Sequence, residues 1–65
     1  MNNSTNNTYV VTVTFKKETV IFRVQGAQLP QLFKMYNGYR DDKKCKAIGI
    51  FDADTGEEIV YYEKG

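Results

Sequence analysis

The chain has 65 residues, nine Lys or Arg against eight Asp or Glu, no histidine and one cysteine. Such a length makes one domain, a single thiol makes no disulfide within the chain, and one thiol without histidine makes no zinc site. A net charge of +1 favours neither nucleic acid nor membrane in bulk, and no stretch approaches the roughly 18 consecutive apolar residues of a membrane span.

Residues 1–7, MNNSTNN, are predicted to form a disordered polar tail, with a single domain over 8–65. The tail has neither a basic start nor an apolar stretch, so a signal peptide is not expected, and the formal glycosylation triplets at Asn2, Asn3 and Asn6 read as chance. A lone cysteine then fits a reducing cytoplasm. From Thr8 the sequence TYVVTVTF is dense in β-branched and aromatic residues, and a period of two puts Tyr9, Val11, Val13 and Phe15 on one face. Lys16-Lys17-Glu18 is a short charged loop. TVIFRV alternates again, with Val20, Phe22 and Val24 inward, which makes a hairpin.

Gly26 breaks the pattern. A helix is predicted from near Gln28, with Pro30 in its first turn, where a missing N–H costs nothing. Leu29, Leu32, Phe33 and Tyr36 form one stripe at helical spacing, and Asn37-Gly38 is the expected stop. Arg40 to Lys44 reads as a charged loop. Cys45 to Phe51 is a third strand with Ala47 or Ile48 inward, Asp52 to Gly56 a turn, and Glu58 to Glu63 a fourth strand. The fold class is therefore α+β, ββαββ, a four-stranded antiparallel sheet with the helix across one face.

Little in this inventory supports catalysis. Without histidine no Ser-His or Cys-His pair exists, and a domain this small rarely encloses a pocket for acid–base work by Asp52/Asp54 or Glu57/Glu58. Cys45 lies between Lys44 and Lys46, but neighbours in a strand point to opposite faces, so it reads as a packing residue. Asp52-x-Asp54-x-Gly56-Glu57 echoes an EF-hand loop. Glycine, however, falls at the fifth position and a strand follows, so a hairpin turn is expected. No enzyme activity, cofactor or metal is expected.

Charge is unevenly spread. Lys34, Arg40, Lys43, Lys44 and Lys46 outnumber Asp41 and Asp42, whereas Asp52, Asp54, Glu57, Glu58 and Glu63 follow with no basic residue between them. The basic run with Tyr36 and Tyr39 could stack bases and neutralise phosphates, or be a solvated loop. The acidic hairpin could face a basic protein or simply keep the chain soluble. The helix carries Leu29, Leu32, Phe33, Met35, Tyr36 and Tyr39, more apolar side chains than one stripe uses, which points to an interface or a homodimer.

The stretch YVVTVTF, an aromatic-bearing strand, then Gly26, Leu29, Leu32 and Tyr36 at G-x-x-L-x-x-L-x-x-x-Y spacing, then a strand ending in Asp52, resembles the small uracil-DNA glycosylase inhibitors of Bacillus phages. The resemblance covers residues 9–52. It implies a ββαβ unit that dimerises through its helix and mimics DNA. An aromatic-walled groove between two helices would capture the apolar side chain that the glycosylase pushes into DNA. Leu32 stands where that family has its groove Phe, Tyr36 matches its helix Tyr, and Phe33 lies beside them. The family's acids on the second strand and helix are replaced by Phe22 and Phe33, next to Arg23 and Lys34, so the carboxylates of the fourth-strand hairpin are expected to take the electrostatic part.

The resemblance thus implies a phage protein in the cytoplasm of a host bacterium, a homodimer that binds uracil-DNA glycosylase at its DNA-binding face. Leu32, Phe33, Met35, Tyr36 and Tyr39 would form or support the pocket, and Asp52, Asp54, Glu57 and Glu58 would meet basic residues. Nucleic acid is not an expected partner under this reading. The alternative is a small single-stranded nucleic-acid-binding domain using Tyr36, Tyr39, Arg40, Lys43 and Lys44. A subunit of a larger assembly is a third reading.

Overall fold

A computed structural model describes residues 8–26 and 29–64; the tail and the expected helix start at Gln28 lie outside the described residues. Strands β1 (Thr8–Phe15) and β2 (Thr19–Gln25) precede helix α1 (Leu29–Asp41), and β3 (Cys45–Asp52) and β4 (Glu58–Glu63) follow. The strands form one antiparallel sheet in the order β2-β1-β3-β4. The α+β ββαββ architecture is therefore present, with the two central strands brought together across the helix connection.

The period of two sorts the sheet. Tyr9, Val11 and Val13 of β1 are buried and pair with Val24, Phe22 and Val20 on one side and with Asp52, Ile50 and Ile48 on the other. Ile48 and Ile50 complete the helix-facing core, which resolves the register of β3, and Ala47 and Gly49 fall on the opposite face. Between Thr14 and Phe15 the pairing skips one residue, so that Phe15 opposes Cys45 rather than Lys46. Such an irregularity re-aims a side chain. It turns Cys45 into the core, where its thiol donates to the Ala47 carbonyl at 3.2 Å. Cys45 is a packing residue; Lys44 and Lys46 beside it point to solvent.

Helix α1 lays Leu32 and Tyr36 on the sheet, with Met35 and Tyr39 half-buried against the same cluster. It runs one turn beyond the Asn37-Gly38 stop read from the sequence. Two contacts explain the extension. Tyr39 packs on the core, and the Arg40 guanidinium lies over the Tyr36 and Tyr62 rings at 5.7 and 5.9 Å from their centres. Termination falls to Asp42 instead. Its N–H donates to the Tyr39 carbonyl, its carboxylate accepts from the Lys44 N–H at 2.9 Å, and its carbonyl accepts from Lys64 Nζ at 2.6 Å.

Candidate functional site

The buried stripe of α1 divides its remaining apolar residues between two flanks. At 100° per residue, Leu29, Phe33 and Arg40 fall on one side of the Leu32–Tyr36 line and Met35 and Tyr39 on the other. Arg40 reaches Tyr62, so the first flank looks toward β4 and the second toward β2. The strand closest to the helix is β3. Edge strand β2 is consequently under-covered. Val20 is 38% exposed and Phe22 and Val24 are only half-buried, although all three occupy helix-facing positions.

The five helix residues expected at a partner site thus separate. Leu32 and Tyr36, 0% and 8% exposed, hold the helix against its own sheet. Phe33, 39% exposed, lies on the β4 flank. Met35 and Tyr39 lie on the helix flank turned toward β2, whose helix-facing residues Val20, Phe22 and Val24 are themselves incompletely covered. The sequence reading assigned those β2 residues to the core. The strand order that makes β2 an edge is set by long-range pairing, and no local signal in the sequence shows it.

The four carboxylates also divide. Asp52 is half-buried and its Oδ1 accepts from the Asp54 and Thr55 N–H groups at 2.8 and 3.2 Å, while Gly56 N–H donates to the Asp52 carbonyl. This is a side-chain-braced turn, closed by Gly56 at φ 77°, as the hairpin reading expected. Asp52 therefore builds the turn, whereas Asp54, Glu57 and Glu58 project into solvent. Since Gln25 pairs with Thr8 and Tyr9 with Asp52, the turn and the N-terminal end of α1 share one end of the sheet.

The face away from the helix carries a second aromatic pair. A Cβ at Gly49 would lie 2.8 Å from Phe51 Cε1 and 2.8 Å from Tyr61 Cδ1, so both rings close over that glycine. Tyr61 Oη donates to Glu63 Oε1 at 3.3 Å. Its pKa is raised above the ordinary phenol value by desolvation of the ring, then by the charge and hydrogen bond of Glu63 and the charge of Glu58.

Of the residues proposed for nucleic-acid binding, Tyr36 is buried and Arg40 is engaged with two rings, while Lys43 and Lys44 join Lys16, Lys17 and Lys46 around one cleft. Among the described residues no three His, Cys, Asp or Glu side chains converge as metal ligands, and no helix is long and apolar enough to cross a membrane. No family model matches the chain, and neither a curated protein nor a solved structure does.

Proposed function

We propose that this protein is a non-catalytic inhibitor that acts as a homodimer on a DNA-binding enzyme, with uracil-DNA glycosylase as its target. The observation that carries this reading is the incompletely covered helix-facing side of β2, toward which the Met35–Tyr39 flank of the helix is turned. A second copy pairing antiparallel along β2, about a two-fold axis through Phe22, brings two helices onto one face of an eight-stranded sheet. The space between them is a trough with Met35 and Tyr39 as walls and Val20, Phe22 and Val24 as floor. A groove between two helices is what the resemblance to the phage inhibitors implies, and an apolar side chain of the enzyme is a fitting occupant. Asp54, Glu57 and Glu58 supply the negative charge that a DNA-binding surface attracts. The site of action is then the cytoplasm of the infected bacterium.

The reading is tested by mixing the protein with uracil-DNA glycosylase and a uracil-containing oligonucleotide. Cleavage is expected to stop once the dimer matches the enzyme. The variant M35A/Y39A, less stable because both side chains pack on the core, is expected to lose inhibition at a temperature where circular dichroism still shows it folded. Full cleavage at about a tenfold molar excess of protein, far above what a typical nanomolar inhibitor needs, removes this target.

A further inference from the structure

We infer that the end of the sheet opposite the acidic turn is a binding site for the nucleotide unit, a planar ring joined to phosphate. The β1–β2 loop and the α1–β3 loop meet there around a cleft of about 470 Å³ lined by Phe15, Lys16, Lys17, Glu18, Lys43, Lys44 and Lys46. Two segments far apart in sequence thus contribute five lysines to one opening. No ion pair among the described residues neutralises them. Among the described residues Glu18 is the one carboxylate in the lining, and Asp42 nearby accepts from the Lys44 N–H.

Five like charges around one opening repel each other, and an anion relieves that repulsion. Lysine supplies mobile point charges suited to phosphate oxygens, and its methylene stems present apolar walls. Phe15, half-buried and among the lining residues, adds an aromatic surface. Apolar walls with an ammonium rim suit a ligand that is flat and apolar in its body and anionic at its edge. Bases stack on aromatic rings whatever their sequence, while phosphates take the lysines. A free nucleotide and a single strand of nucleic acid share that chemistry.

The site does not depend on the inhibitor reading. The acidic turn lies at the other end of eight-residue β3, roughly 25 Å away at about 3.3 Å per residue, so either proposal stands if the other fails. The probes are a labelled thymidine oligonucleotide, followed by anisotropy, and adenosine triphosphate, followed by calorimetry, both at about 0.1 M salt. The K16Q/K17Q/K43Q/K44Q variant is expected to weaken binding at least about tenfold, with a shallower salt dependence, since each phosphate contact contributes about −0.7 to the slope for a single strand. The variant E18Q is expected to tighten binding, and K34Q, on the outer face of the helix, to leave it unchanged. All six substituted positions, five lysines and Glu18, are exposed, so the variants should fold. Binding of the oligonucleotide alone assigns the source to nucleic acid, and binding of the triphosphate alone to a free nucleotide. Either result supports the site. Absence of both, or binding indifferent to the lysine substitutions and to E18Q, overturns it.

Discussion

At Gly49 a methyl group would meet Phe51 and Tyr61 ring carbons at 2.8 Å each and Thr12 Oγ1 at 3.1 Å. Both ring atoms belong to planar groups anchored in strands, so relief requires two side chains to swing away together. Gly49→Ala is expected to destabilise the fold by about 1–3 kcal/mol through overpacking, despite alanine's lower backbone entropy cost. Urea denaturation checks this, and an unchanged midpoint would mean the rings do not close over the glycine. In the sequence Gly49 only blurred the register of β3. The rings that require a glycine come from two strands, and Tyr61 faces it through a cross-strand pairing. Cys45 shows the same limit. Alternation in sequence puts it on the face of Ala47, and one skipped pairing moves it to the other.

The helix was legible where its pattern is local. The spacing of Leu32 and Tyr36 announces the buried stripe, but Leu29 and Phe33, which share it by spacing, are exposed, whereas Met35 and Tyr39, off it by spacing, pack against the core. Its end was less legible, because Asn37-Gly38 is a strong stop by propensity alone. Tertiary contacts of Tyr39 and Arg40, which propensity does not contain, carry the helix on to Asp41. Gly38 therefore sits inside a helix with open space around the position of a Cβ, and it is not among the positive-φ glycines. Gly38→Ala should stabilise the domain by about 0.5–1 kcal/mol. Calorimetry should show Tm higher by a few degrees, given about 4–8 °C per kcal/mol at this size. A fall in Tm would place Gly38 at a left-handed helix end instead.

For the whole molecule the telling comparison is between its two sheet edges. Strand β4 carries Glu58 and Glu63 and an irregular pairing with β3, devices that discourage another strand from adding on. Strand β2 carries Val20, Ile21, Phe22 and Val24, no proline, no bulge and one charge, Arg23. An edge left this open is a template for a further strand. Pairing about Phe22 uses all seven residues of β2. It sets Val20 against Val24 of the second copy, Phe22 against its own copy and Ile21 against the copy's Arg23, with no like charges opposed. It also runs the two charge-polarised protomers in opposite directions, which reduces the total dipole. Ile21 is 65% exposed, so changing it perturbs the isolated protomer little. Ile21→Lys would place two lysines opposite two arginines and should weaken the dimer about tenfold or more. Ile21→Glu makes two opposite-charge pairs and should preserve it, each pair being worth roughly 0.2–1 kcal/mol. Sedimentation equilibrium separates the cases. If wild type and both variants sediment alike as monomers at micromolar concentration, β2 is not the dimer edge and the trough between two helices does not form.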